Sequence, residues 1–159
     1  MFDVEGLLRR LAEHEVEFIL VGGVAATVHG SARLTRDLDV VYGRTPANID
    51  RLTSALAPLA ASLRGAPAGL PFRLDSATVR RGLNFTLTTK LGDIDLFGEI
   101  AGGGDYAGLL PDTREIEVFG IRCRCLTLDR LIQVKRAAGR PKDLEVVAEL
   151  EALREEGAE

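Results

Sequence analysis

The stretch FILVGGVAATVHGSARLTRDLDVVY, residues 18–42, decides the fold of this chain. It starts with a short apolar run, reaches the glycine pair Gly22 and Gly23, and continues through an Ala/Val segment and an arginine-containing link into a second apolar run. Short apolar runs bounded by turn residues are typical of buried strands. The stretch therefore predicts a strand, a glycine turn, a helix, a loop and a second strand.

The second predicted strand carries Asp37 and Asp39, two residues apart. Alternate residues of a strand point to the same face, with Cα atoms roughly 6.5 Å apart. Two carboxylates this close repel each other unless a cation lies between them. Mg²⁺ is the simplest such cation, because one or two carboxylates bind it while water and substrate phosphates complete its octahedron. The pair therefore predicts a magnesium site.

Gly22 and Gly23, at the start of the predicted helix, would bind the phosphates. Glycine exposes its backbone N–H group without a Cβ in the way, and the start of a helix favours anions. Taken alone, a glycine pair is usually a turn, and an Asp-x-Asp is usually a solvated strand end. Their order along the chain favours a triphosphate held between the glycine turn and a metal ion.

These motifs resemble the signature of the nucleotidyltransferase fold of the DNA polymerase β superfamily. In that signature GG or GS is followed, after a short helix, by two aspartates on a strand; here thirteen residues separate Gly23 from Asp37. The segment HGSARLTRDLD, residues 29–39, is most similar to the corresponding segment of small bacterial AbiEii-like and minimal nucleotidyltransferases of toxin–antitoxin systems. We therefore expect an α/β nucleotidyltransferase fold, with a mixed twisted sheet of about four to six strands flanked by helices and with two C-terminal helices.

The resemblance implies a third carboxylate on a later strand. Residues 83–89 and 94–97 predict a hairpin, and Asp93 and Asp95 point to the same face of its second strand. Asp95, between two apolar residues, fits the family pattern best. Asp93 is the alternative, and is otherwise a turn residue.

The segment LIQVKRAAGRPKDLEVVAEL, residues 131–150, extends the resemblance. It predicts a helix that ends at Gly139 and another that begins at Pro141. By analogy with the family, Lys135 reaches the nucleotide phosphates and Asp143 lines the pocket. The position of Asp143 in the first turn of a helix also fits an ordinary N-terminal acid.

The reaction that the resemblance implies is the transfer of a nucleoside monophosphate from a nucleoside triphosphate to an acceptor hydroxyl, with release of pyrophosphate. Two Mg²⁺ ions would be held by the catalytic carboxylates Asp37, Asp39 and Asp95. Charge grows on the leaving pyrophosphate, so basic groups should surround it. The nucleotide-binding candidates are Gly22, Gly23, Ser31, Arg33, Arg36, Lys135 and Asp143, and a second basic group comprises Lys135, Arg136, Arg140 and Lys142.

The 159 residues, 46% hydrophobic and 28% charged, fit one soluble domain. The resemblance implies that this is a single nucleotidyltransferase domain over residues 1–159. The acidic start and the lack of a long apolar run argue against a signal peptide and against a membrane helix. A net charge of -4 argues against a broad nucleic-acid footprint but allows a small basic cleft. Cys123 and Cys125 predict buried thiols of a cytoplasmic protein.

The remaining pattern predicts further elements. They are a helix over residues 4–14 capped by Asp3, a helix capped by Thr45 or Asn48, a hairpin about Gly120, a helix from Thr127, a surface loop over 62–71 and a mobile glycine-rich loop over 99–111.

The acceptor stays open: a tRNA end, a partner toxin protein and a small molecule all carry hydroxyls. A small acidic chain suits an antitoxin that modifies a partner protein, but that group typically has GS where this chain has Gly22 and Gly23. A non-catalytic module of the same fold, which senses a nucleotide or binds a partner, is the alternative. The sequence indicates neither the nucleoside triphosphate nor the oligomeric state.

Overall fold

The computed structural model describes residues 2–67 and 69–157. The helices are α1 (Val4–Glu13), α2 (Gly22–Val28), α3 (Pro46–Leu56), α4 (Ser76–Arg81), α5 (Tyr106–Leu109), α6 (Leu128–Ala138) and α7 (Pro141–Gly157). The strands are β1 (Phe18–Val21), β2 (Asp37–Tyr42), β3 (Ser62–Leu63), β4 (Asn84–Thr89), β5 (Gly92–Phe97), β6 (Glu99–Ile100), β7 (Gly104–Asp105), β8 (Thr113–Val118) and β9 (Ile121–Leu126).

Seven strands form one sheet in the order β3-β4-β5-β2-β1-β9-β8. β2 pairs with β5, and β1 with β9, in parallel, while the other neighbours are antiparallel. The predicted mixed α/β fold is therefore confirmed. The sheet is larger than the expected four to six strands or so, because the two-residue strand β3 adds itself to one edge.

The two faces of β4, β5 and β2 differ in chemistry because side chains alternate along a strand. One face is apolar and fully buried, with Leu38, Leu87 and Ile94 among its members. The opposite face carries the aspartates of β2 and β5 and the exposed threonines of β4. The alternation thus builds a core on one side and a polar surface on the other.

Side-chain caps fix the helix boundaries that the sequence predicts. Asp3 Oδ1 accepts a hydrogen bond of 2.8 Å from the Gly6 backbone N–H and starts α1. The Thr45 and Thr127 hydroxyls accept from the backbone three residues on and start α3 and α6. These bonds satisfy N–H groups that the first helical turn leaves without partners.

Two predicted loops contain regular structure. The segment 62–71 opens with strand β3, which pairs with β4 through Ser62↔Thr88 and Leu63↔Leu87. The segment 99–111 holds β6, β7 and α5, and Leu109 in it is fully buried. Glycine and proline mark these segments as irregular, but long-range pairing and burial order short pieces of them.

The two cysteines are free, buried thiols, as predicted. Burial raises the pKa of Cys123 to about 11 and that of Cys125 to about 12. Within residues 2–67 and 69–157, no helix has both the length and the apolar character needed to cross a bilayer.

Candidate active site

The glycine turn and the Asp-x-Asp strand meet because β1 and β2 are antiparallel neighbours. Val21, the last residue of β1, lies opposite Asp39. Gly22 follows with a φ of +64°, and a Cβ at this position would overlap Oδ2 of Asp39. Glycine is therefore required here both for the backbone conformation and for the close approach.

The parallel pairing of β2 with β5 places two aspartate pairs side by side. Asp37 lies opposite Asp93, and Asp39 lies opposite Asp95. Carboxylate oxygens of Asp37, Asp39 and Asp95 all lie within 4.8 Å of one another. We call these three residues the carboxylate cluster. Asp93, two residues before Asp95 on β5, is not part of it.

The electrostatics of the cluster favour a cation. Burial, followed by the charges of Asp37 and Asp95, raises the pKa of Asp39 to about 7. Burial and the Asp95 charge likewise raise the pKa of Asp37, although Arg64 opposes this. Among the described residues, the buried Oδ1 of Asp39 has no hydrogen-bond partner. Three converging carboxylates, one of which carries an unsatisfied buried oxygen, fit a Mg²⁺ ion.

Arg64, which directly follows β3, contacts the cluster. Its Nη2 donates a hydrogen bond of 2.7 Å to Asp95 Oδ1, and its Nη1 lies 3.9 Å from Asp37 Oδ2. Its Nε lies 3.1 Å from Asp93 Oδ2. A single guanidinium therefore shares its charge among three carboxylates.

A cavity of about 240 Å³ opens beside Gly22 and Asp39. Residues of α6 and the region of β5 and β6 form an apolar part of its wall, and Glu99, Lys135, Arg140 and Asp143 add charged groups. Its remaining lining residues are Val21, Asn84, Phe97, Ile100, Ala101, Leu131, Val134 and Ala138.

Asp143 is held by two cations in the wall of this cavity. Its side chain is only 2% exposed, Arg140 Nε lies 2.6 Å from its Oδ2, and Lys135 Nζ lies 3.5 Å from its Oδ1. Burial alone would raise the pKa of Asp143, but the hydrogen bond from Arg140 and the charges of Lys135 and Arg140 outweigh it and hold that pKa below its usual value. Asp143 therefore stays ionised and fixes both cations at the cavity.

Residues 6–132, most of the chain, match the family model described as the nucleotidyl transferase AbiEii toxin of a type IV toxin–antitoxin system. The chain belongs to the AbiEii nucleotidyltransferase family. It is accordingly an enzyme of the nucleotidyltransferase class, which confirms the resemblance of its motifs. No match among curated protein sequences was significant.

Solved structures share the fold of this AbiEii family member at low sequence identity. A candidate nucleotidyltransferase from Thermotoga maritima is 14% identical, with a TM-score of 0.58 over 92% of this chain and 88% of the other. ANT(2")-Ia in complex with adenylyl-2"-tobramycin is 14% identical, with a TM-score of 0.56 over 95% and 92%. An antigenic nucleotidyltransferase-like protein from Paracoccidioides brasiliensis is 15% identical, with a TM-score of 0.57 over 96% and 78%.

In this family member, two of the predicted phosphate ligands face α7 instead of lining the cavity. Ser31 Oγ donates a hydrogen bond of 2.7 Å to Glu149, and Arg33 Nε lies 3.4 Å from the same carboxylate. Arg36 is exposed and, within the described part of the chain, forms no ion pair. Gly23 lies against the Thr35 hydroxyl, where a Cβ would collide.

Arg64 is the site residue that the sequence analysis missed. It lies in a segment interpreted as a surface loop, more than twenty residues from any aspartate of the cluster in sequence. Only the pairing of β3 with β4 brings it across the sheet to Asp95. No local pattern carries that information, because a lone arginine in a loop is ordinarily solvated.

Proposed function

We propose that this protein transfers a nucleoside monophosphate from a nucleoside triphosphate to an acceptor hydroxyl, with Mg²⁺ held by the carboxylate cluster. The observation that carries the proposal is the convergence of Asp37, Asp39 and Asp95 within 4.8 Å beside the glycine turn. Oxygen clusters of this kind suit the metal ions that bridge phosphates. When bound there, Mg²⁺ would neutralise phosphate charge and lower the pKa of the acceptor hydroxyl.

The proposed reaction exchanges a phosphoanhydride bond of the nucleotide for a phosphoester bond to the acceptor. The acceptor oxygen attacks the α-phosphorus of the nucleotide and forms the new P–O bond. The bond from that phosphorus to the oxygen bridging the β-phosphate breaks, and pyrophosphate leaves with the bonding electrons. The acceptor proton passes to a carboxylate of the cluster.

Basic residues around the cavity would bind the triphosphate. Lys135 and Arg140 line the cavity that Asp39 also lines. Burial raises the pKa of Asp37, and the charge of Lys142 opposes that rise, so Lys142 also acts on the cluster. These cations would stabilise the charge that develops on pyrophosphate, together with the backbone at Gly22 and Gly23. Ser31 and Arg33 contact Glu149, and they would have to break these contacts before they could bind the triphosphate.

Nucleotide titration and a transfer assay test the proposal together. The purified protein is titrated calorimetrically with each nucleoside triphosphate, with and without Mg²⁺, and incubated with labelled nucleotide in cell extract. Asp37→Asn should abolish transfer and metal-dependent binding while leaving the melting temperature close to that of the wild type or higher. Asp129→Asn is the matched control, because Asp129 is exposed on α6 and, among residues 2–67 and 69–157, forms an ion pair only with Arg154. Full transfer by Asp37→Asn would contradict the proposal.

The family description, more than the geometry, supports a proposal for the cellular role. The family description names a toxin of a toxin–antitoxin system, and we propose that this chain is the nucleotidyltransferase of such a pair. Induced expression in a bacterial host should then slow growth, and Asp37→Asn should not. Growth unaffected by the wild type, with labelled transfer to a single partner protein, would instead favour the antitoxin role.

The contact of Arg64 with the cluster favours a second candidate, a non-catalytic module of the same fold. A guanidinium 2.7 Å from Asp95 balances part of the acidic charge without a metal. In that case neither metal binding nor transfer would be measured, and nucleotide or partner binding would remain. The titrations described above separate the two candidates directly.

A further inference from the structure

The backbone of Arg64 is fixed while its side chain spans the sheet edge. Its N–H donates a hydrogen bond of 3.0 Å to the Thr86 carbonyl, which continues the pairing of β3 with β4. Its Nη2 then bonds the Leu87 carbonyl and Asp95 Oδ1, each at 2.7 Å. The backbone of Arg64 is therefore hydrogen-bonded to β4, and this bond positions the guanidinium beside the cluster.

Among the described residues, the guanidinium has one carboxylate partner outside the cluster. Asp93 Oδ2 lies 3.1 Å from Nε, and Asp93 is separated from Asp95 by one residue along β5. Asp95, 16% exposed, is more enclosed than Asp93, 34% exposed. Arg64 therefore contacts both a deep carboxylate that would bind metal and a shallower one that would not.

A divalent ion and the guanidinium cannot make full use of the same carboxylates. A charged hydrogen bond of 2.7 Å occupies an acceptor site on Asp95, and two cations sharing one carboxylate repel each other. Arg64 must consequently weaken its bonds to Asp95 and Asp37 when a metal ion enters. Asp93 gives the guanidinium a carboxylate to keep, so the displaced charge is not left unpaired in a partly buried site.

We propose that Arg64 is a positioning residue that exchanges with the divalent ion: it holds Asp95 and Asp37 in place without metal, and shifts onto Asp93 when metal binds. The inference rests on the metal site of the proposed function. It also gives Asp93 a role as the carboxylate that keeps Arg64. This role differs from that of a turn residue and from that of a metal ligand.

The test measures metal affinity directly, by calorimetric titration of the nucleotide-free protein with Mn²⁺ and Mg²⁺. Arg64→Gln should bind metal about tenfold more tightly, because the competing cation is gone. Arg64→Lys keeps the charge but loses the bidentate reach, so it should also bind more tightly than the wild type. Arg81→Gln is the control: the same change at an exposed arginine at the end of α4 should alter the affinity by less than about twofold.

A double-mutant cycle separates this exchange from a general charge effect. Asp93→Asn should weaken metal binding about threefold to tenfold in the wild-type background, because Arg64 then depends on Asp95 and Asp37 alone. In the Arg64→Gln background the same change should have less than about a twofold effect. Equal weakening in both backgrounds, or unchanged affinity in Arg64→Gln and Arg64→Lys, would overturn the proposal.

The outcomes distinguish this inference from the proposed function. Tighter metal binding by Arg64→Gln without nucleotide transfer by any variant would uphold the exchange and contradict the enzymatic proposal. Metal-dependent transfer, with the same metal affinity in all variants, would support the enzymatic proposal and contradict the exchange. Absence of metal binding even in Arg64→Gln, in a protein that melts cooperatively, would contradict both.

Discussion

The α-carbon of Gly22 lies so close to the carboxylate of Asp39 that no side chain fits between them. The contact links β1 to β2, where Val21 of β1 is paired with Asp39 of β2. The glycine turn and the aspartate are therefore one structural unit, although sixteen residues lie between them in sequence.

Gly22→Ala should abolish activity, with a loss of at least about 100-fold in kcat/KM, because the methyl group would displace Asp39. The positive φ adds strain of about 1 kcal/mol to the folded state. Gly120→Ala is the matched control, since Gly120 has a φ of +75° and a Cβ added there would meet nothing within 4 Å. It should lower the melting temperature similarly and leave transfer intact; equal loss of transfer in both variants would contradict the role assigned to the contact.

Asp39→Asn should stabilise the metal-free protein at pH 8. The pKa of Asp39 is raised to about 7 in the folded state, so its ionisation opposes folding, and stability falls as pH rises from about 4 to about 7. In EDTA the variant should gain roughly 1 kcal/mol or more over the wild type at pH 8, and less at pH 5. Thermal melts at both pH values check this, and a gain that is equal at both would contradict the pKa shift.

Lys135→Met should lower kcat/KM at least about tenfold and change the melting temperature little. Arg140 still pairs with Asp143 in this variant, at 2.6 Å, so the buried carboxylate keeps a cation. Arg136→Met, on the same helix, removes an exposed cation that pairs with Glu151 away from the cavity lining. It should leave kcat/KM within about twofold of the wild type.

Both cysteines should resist thiol reagents in the folded protein. With pKa values of about 11 and about 12, Cys123 and Cys125 hold only about a thousandth or less of their thiols as thiolate at pH 8. Reaction with a disulfide reagent at pH 8 should be at least about 100-fold slower than in guanidinium chloride, where two thiols titrate. Rapid native labelling of either thiol would contradict their burial.

Local patterns predicted the parts of this fold that local physics determines. The caps at Asp3, Thr45 and Thr127 and the turn at Gly139 follow from side-chain and backbone rules that act within a few residues. The Asp-x-Asp spacing fixed the shared face of Asp37 and Asp39 for the same reason.

What the sequence did not reveal depends on partners far apart in the chain. The parallel neighbours β1 and β9 are separated by about a hundred residues, and short strands such as β3 acquire their structure only from the strand beside them. The ion pair of Arg64 with Asp95 and the capture of Ser31 and Arg33 by Glu149 belong to the same class. Periodicity and turn chemistry do not encode such contacts.

The position of Asp143 in the first turn of α7 links the last helix to whatever occupies the cavity. Its partners Lys135 and Arg140 lie on α6 and just before α7, so a bound anion would draw on the same charges that join the two helices. Ligand binding and the docking of α7 are then thermodynamically linked, and each strengthens or weakens the other by an equal free energy. Resistance of α7 to proteolysis would accordingly report on the occupancy of the site, even where no acceptor is at hand to reveal turnover.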